Sequence, residues 1–136
     1  MVYQTQILLK PYSYGFHLIT NEILDELPNL PSSGLLNLFI QHTSAALTIN
    51  ENADFSVRSD FKTFFSTLMP ENFKYFEHTY EGLDDMPAHI KSSLIGVSLV
   101  IPIKDHKLAL GTWQGIYLCE FRKFGGRRKI MATVIS

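Results

Sequence analysis

Gly115–Ile135 reads "GIYLCEFRKFGGRRKIMATVI": two apolar runs separated by a Gly-Gly pair. The aromatic and β-branched residues on each side suit extended backbone, and glycines between such runs signal a turn, so the stretch predicts a β-hairpin. Side-chain alternation then puts Ile116, Leu118, Glu120, Arg122 and Phe124 on one face. A carboxylate in that company is costly unless it is paired. Glu120 therefore either pairs with Arg122 or faces a pocket. Arg122, Lys123, Arg127, Arg128 and Lys129 crowd the glycines. Bare amides beside guanidinium groups can hold a phosphate, although a solvated hairpin tip has the same composition.

Working outward, "GTWQGIY" sets Trp113 and Gln114 between two glycines, and Trp113 can stack on a substrate ring or fill a core or interface. "VYQTQILL", "YSYGFHLIT", "GLLNLFIQH" and "VSLVIPI" read as strands; "AALTINEN" extends the third or forms the next, and "KDHK" reads as a turn. "NEILDEL" suggests a short helix capped by Thr20 or Asn21 and stopped by Pro28. From Asp54 the period changes: Val57, Phe61, Phe64, Phe65 and Leu68 fall on one face of a helix that Asp54 caps and Pro70 ends. Pro87 suits the first turn of another helix, with Gly96 just past its end. The expectation is a single α+β domain spanning residues 1–136, β-rich, with two main helices packed on a sheet.

Composition narrows the function. A net charge of −1 gives no global field to attract nucleic acid or an anionic membrane. Cys119 is the only cysteine, so neither an internal disulfide nor a thiolate metal cluster is expected. The N-terminal "MVYQTQILLK" lacks a signal-peptide pattern, and no apolar run approaches the roughly 20 residues that span a bilayer. A cytoplasmic protein is the expectation.

The chemistry gathers around histidines. His42 ends an apolar strand, with Glu51 and Asp54 a few residues on; His78 sits in "EHTYEG"; His89 lies four residues after Asp85. Imidazole with carboxylate is the usual ligand set for zinc and other divalent ions, and carboxylates also fix histidine tautomers. Asp84 and Asp85 stand where a helix begins, so they read both as helix caps and as groups that polarise a histidine site. The same helix mouth favours an anionic substrate. No nucleophile elbow, Walker loop or dinucleotide fingerprint occurs, and Cys119 has an inert apolar setting.

Three blocks, "QHTSAALTINENAD", "HTYEGLDDMPAHIKSSLIG" and "LGTWQGIYLCEFR" followed by "GGRR", resemble the signature blocks of the YjbQ family, often labelled secondary thiamine-phosphate synthase. The resemblance covers almost the whole chain. It implies a compact α+β domain, a homotrimer with polar pockets near subunit boundaries, and a bound divalent ion, zinc or magnesium. The family's polar positions fall on His42, Asn50, Glu51, Asp54, His78, Glu81, Asp84, Asp85, His89, Ser92, Gln114, Glu120 and Arg128. The resemblance implies metal ligation by His42, His78 and His89. It implies proton transfer or further ligation by Glu51, Asp54, Asp84, Asp85 and Glu120. Asn50, Ser92, Gln114 and Arg128, with Trp113, would bind a small phosphorylated metabolite. The family label implies joining a pyrimidine diphosphate to a thiazole phosphate with release of pyrophosphate. A non-catalytic trimeric metal- or anion-binding module and a metal-dependent hydrolase use the same residues. Two departures are visible: Phe55 stands where the family often has proline, and "KDHK" replaces a glycine-containing turn.

Overall fold

The computed structural model describes all 136 residues. Eight strands form two antiparallel sheets: β1 (Val2–Leu8), β2 (Gly15–Leu18), β3 (Ser33–Ile40), β4 (Ala45–Glu51), β5 (Ser98–Lys104), β6 (Lys107–Leu108), β7 (Gln114–Glu120) and β8 (Lys129–Ile135). The larger sheet runs β1-β8-β3-β5-β6 and the smaller β2-β7-β4. Three helices complete the α+β fold: α1 (Thr20–Asp25), α2 (Phe55–Leu68) and α3 (Asp85–Ile95).

The main core fills the space between the sheets. Ile7, Leu36, Leu38, Ile101 and Ile130 from the larger sheet meet Leu47, Ile116 and Leu118 from the smaller, with Ile23 of α1 at one side. The other face of the smaller sheet carries a second core, in which Phe16, Ala46, Tyr117 and Cys119 lie under Ala88 of α3 and the half-buried Phe61 and Phe65 of α2. β7 is therefore buried on both faces, which explains its nearly unbroken apolar run.

That arrangement overturns the expected hairpin. β7 already has β2 on one edge and β4 on the other, and β8 lies between β1 and β3 in the opposite layer. Phe121–Arg128 is a crossover between layers. Apolar-Gly-Gly-apolar describes a hairpin and a layer change equally well, because the pattern records burial and not pairing partner. "AALTINEN" likewise becomes β4, which sits in a different sheet from β3.

The helices follow their sequence signals unevenly. Asp54 caps α2 by accepting from the Ser56 amide at 2.9 Å. The apolar stripe of α2 is narrower than its periodicity suggests: Phe61 and Phe65 pack on Phe16 with ring centroids 5.1 and 5.6 Å away, while Phe64 and Leu68 stay exposed. Neither proposed cap serves α1; its N-cap is Ile19, and Thr20 Oγ1 instead accepts from the Ile116 amide at 2.9 Å. Gly96 ends α3 at φ +111°, as expected of a glycine past a helix. The "KDHK" turn places Asp105 and His106 at φ 52° and 63°, the left-handed pair that a tight hairpin needs.

Gly34 marks where β3 runs beneath the end of β8. Its φ is +154°, and a Cβ there would overlap the Ile135 carbonyl oxygen and lie 3.2 Å from the carbonyl carbon. Backbone cannot yield as a flexible side chain can. Gly34→Ala should lower stability by about 2 kcal/mol or more, read as a shift in the urea midpoint. An unchanged midpoint would show that the two strands part without penalty.

Candidate metal centre

Where the helix α3 begins, Asp85 is almost fully buried, with 2% of its surface exposed. Its Oδ2 lies 2.6 Å from His78 Nε2 and 3.1 Å from His89 Nε2. Its Oδ1 accepts from Arg122 Nη1 at 2.7 Å. Asp84 accepts from Arg122 Nε at 3.0 Å and from the Lys123 amide at 2.9 Å, while Arg122 Nη2 also donates to the Glu81 carbonyl. Neither acid makes a side-chain cap bond on α3, contrary to expectation. They turn to the Arg122–Lys123 corner instead, because a guanidinium and an amide there offer stronger, charge-assisted partners. Burial opposes ionisation of Asp85, but the His78 hydrogen bond and the charges of His89 and Arg122 outweigh it and hold the carboxyl below the usual range.

His89 is oriented from its other side. Its Nδ1 meets the Thr43 carbonyl at 2.9 Å, and Ser92 Oγ donates to the same oxygen at 2.7 Å. With Nδ1 engaged there, Nε2 is the ring atom that faces Asp85 Oδ2. His78, its ring centroid 5.2 Å from that of His89, presents Nε2 to the same oxygen. The three ligand atoms lie within 4.8 Å of one another.

His42, expected beside these rings, is not among them. Its Nε2 accepts from the Lys129 amide at 2.8 Å, so the neutral ring has no free lone pair for a metal. Burial, reinforced by the charge of Arg128, holds its imidazole below the ordinary histidine range.

Glu120 and Arg128 form the adjoining buried pair. Arg128 Nε and Nη2 donate to the two carboxylate oxygens at 2.7 and 2.5 Å, and Nη2 also reaches Ser44 Oγ at 3.0 Å. Arg122 contributes its backbone amide to Glu120 at 3.0 Å and not its guanidinium, so the expected same-face pair is replaced by Arg128. Arg128 is thus committed to a carboxylate and is no free phosphate hook. Gly125 fits here because a Cβ would lie 2.6 Å from Glu120 Cδ. The parts that Thr43 and Gly125 play here were hidden, because a backbone carbonyl and a clearance leave no mark on residue type; Arg122 stood out as a cation, but its pairing with Asp84 and Asp85 did not.

The remaining expected residues lie elsewhere. Ala45 pairs with Glu120 at one end of β4 and Glu51 with Gln114 at the other, six strand steps or about 20 Å away. There Glu51 Oε2 accepts from the Asp54 amide at 2.8 Å, Gln114 Oε1 from the Gly111 amide at 2.7 Å, and Asn50 Oδ1 from the Glu51 amide at 2.8 Å. Asp54 caps α2, and Trp113 stands exposed. Within one chain this second group serves turns and caps, and it does not meet the histidines.

Comparison with known proteins bears on the whole chain. Residues 5–136 match the family model described as UPF0047 protein YjbQ-like. The UPF0047 protein YjbQ of Salmonella typhimurium is 55% identical over 136 residues, covering 98% of each chain. The chain belongs to the YjbQ-like family. UPF0047 protein MJ1081 of Methanocaldococcus jannaschii is 52% identical over 96 residues, 71% of this chain and 65% of its own. Among solved structures, the conserved hypothetical protein TT1486 of Thermus thermophilus superposes with TM-score 0.81 at 32% identity, covering 95% of this chain and 97% of its own. A YbjQ-like protein of unknown function from Sulfolobus solfataricus shares the fold, with TM-score 0.83 at 23% identity over 98% and 96% of the two chains. No helix of this YjbQ-like chain is long and apolar enough to cross a membrane.

Two outcomes follow from the buried polar groups. Removing one partner strands a buried charge, so Arg128→Met should cost about 3–5 kcal/mol, and the Glu120→Met/Arg128→Met double variant should recover more than half; urea titrations compare them. The folded-state value of His42 lies below the unfolded value of about 6.5, so its contribution is complete above that pH and is lost as pH falls below it. His17, also held low by burial, acts in the same direction. In metal-free protein the melting temperature should fall between pH 7 and 5, and His42→Gln, which keeps an acceptor for the Lys129 amide, should lessen that fall.

Proposed function

We propose that the chain is a metal-dependent enzyme acting on a phosphorylated small metabolite, with thiamine-phosphate formation as the activity to assay first. The observation that carries this reading is that one nitrogen each of His78 and His89 and one Asp85 oxygen lie within 4.8 Å of one another, with His89 Nδ1 engaged by the Thr43 carbonyl at 2.9 Å. Two imidazoles and a carboxylate converging in this way form a ligand set that a divalent cation can share. Charge agrees: Asp84 and Asp85 meet one guanidinium, Arg122, leaving one negative charge over.

The donor set fits zinc better than magnesium, since two imidazoles and one carboxylate suit zinc while magnesium takes oxygen ligands. His78, Asp85 and His89 would hold the ion, with the Thr43 carbonyl fixing the His89 tautomer. A divalent ion so held supplies a Lewis acid that stabilises negative charge developing on a departing pyrophosphate. The chain's own part is orientation. Arg122 keeps Asp85 ionised, and the Glu120–Arg128 pair anchors the corner that carries Arg122.

The family's homotrimer is part of this reading. The strand register lines up Leu35, Phe39, Val100 and Ile135, all exposed, on the outer face of the larger sheet. An apolar face of that kind is suited to burial against copies of the chain. The ion, a cytoplasmic location and the metabolite are elements of the same proposal.

Metal-free protein titrated with zinc and with magnesium in a calorimeter tests it. Zinc should bind at one site per chain and at least a hundredfold more tightly than magnesium. Zinc at a hundredfold excess over its Kd should add about 2.7 kcal/mol to stability. His89→Ala should abolish both effects together with conversion of pyrimidine diphosphate and thiazole phosphate. The same samples should sediment as a trimer. Full zinc occupancy in His89→Ala would overturn the metal site, and zinc binding without turnover of the two phosphates would overturn the activity.

A further inference from the structure

β2 is the outer strand of the smaller sheet, and a concavity of about 420 Å³ runs along it between the Lys10–Ser13 segment and the first turns of α2. Its lining is unusual for a chain of net charge −1. Lys10, Arg58 and Lys62 line it, and no carboxylate does. Glu22, at its flank, is committed to the Lys10 amide and the Tyr12 hydroxyl at 2.8 and 2.6 Å.

Aromatic rings alternate with these cations. Lys10 Nζ lies 5.2 Å from the Tyr12 ring centre, the Arg58 guanidinium 5.0 Å from that of Phe55, and Lys62 Nζ 5.8 Å from that of Tyr14. Phe55 is 68% exposed, an unusual setting for a phenyl ring that has a cation on one face. Tyr14 is a fixed wall: its hydroxyl is held by Lys91 Nζ at 2.9 Å and Ser66 Oγ at 2.8 Å.

An independent observation points to a missing acceptor. Arg58 Nη1 is shielded from solvent and has no hydrogen-bond partner. An unpaired donor of this kind is among the costlier features a structure can carry. An oxyanion that draws the guanidinium into the concavity supplies the missing acceptor, and Arg58 and Lys62 together offer the charge-assisted bonds that phosphate prefers.

We infer that this concavity is a binding site for a mononucleotide, whose phosphate is held by Arg58 and Lys62 and whose base stacks on the exposed Phe55 ring. The volume lies within the range of small-ligand sites. A flat heterocycle is favoured over a simple phosphate because the exposed Phe55 ring stands beside Arg58 on the same wall. β2 pairs with β7 alone, so its other edge leaves backbone N–H and C=O groups for the donors and acceptors on a base. His17 belongs to the same wall; burial, and then the charges of Lys62 and Arg58, lower its pKa, while the Ser13 carbonyl and Glu120 act against them. The site is separate from the histidine centre and does not depend on it.

Calorimetry on the full chain with AMP, adenosine and inorganic phosphate as probes tests the inference. AMP should bind with a Kd below a millimolar, and adenosine and phosphate at least tenfold more weakly. Arg58→Gln/Lys62→Gln should weaken AMP binding at least tenfold. Lys104→Gln, which removes an exposed charge on the other sheet, should leave it unchanged. Phe55→Ala should weaken AMP binding while leaving phosphate binding as it was. His89→Ala, which would abolish zinc binding at the other centre, should bind AMP normally. Phosphate binding as tight as AMP would overturn the nucleotide assignment. Equal AMP affinity in the double variant and the parent, with both folded by circular dichroism, would overturn the site itself.

Discussion

The Glu120–Arg128 pair governs how the molecule is put together. Glu120 ends a strand enclosed on both faces, so its charge cannot reach water and must be met by a cation brought to it. Arg128 stands at the far end of the crossover, and its bidentate grip joins the point where the chain leaves one layer to the point where it enters the other. Everything between those two residues is then fixed in space. Arg122 is turned towards the start of α3, Gly125 passes directly over the carboxylate, and the Lys129 amide is delivered to His42. A buried ion pair is weak grounds for stability, since an apolar pair of similar volume does as well. Its value here is positional.

The histidine centre inherits its geometry from that corner. α3 supplies Asp85 and His89 one turn apart, which puts both on one side of the helix. The loop before it supplies His78, and the end of β3 leads into the Thr43 carbonyl that aligns His89. Three separate stretches of chain therefore build the centre, and the rings from two of them meet at one carboxylate oxygen. The two acids at the helix mouth, so suggestive of capping, are drawn away by Arg122 because a guanidinium satisfies more of their lone pairs than α3's own amides would.

Much of this was legible in the residues. The strands, the period change at Asp54, and the glycine after α3 are recorded in local chemistry and emerged where expected. Asp85 and His89 were visible as a pair because helical spacing survives as pattern, and His78 was marked by its polar surroundings. Pairing partners were not. The run from Gly115 to Ile135 shows that both its strands are buried, yet nothing local says that β2 and β4 occupy the edges of the first. For the same reason Glu51 and Asp54 looked like neighbours of His42: sequence distance is short, but the length of β4 separates them. His42 itself looked like a ligand until its ring was found accepting a main-chain amide, a bond that any acceptor of suitable length would make.

No residue of α2 is fully buried, and the helix is fastened to the sheets chiefly through two phenyl rings resting on Phe16. Its free energy of detachment is correspondingly small compared with that of the sandwich beneath. The amides of α2 should therefore exchange with deuterated solvent through a local opening long before those of β7. The molecule joins a two-layer body to one lightly anchored flank, and that flank is a wall of the cleft beside β2.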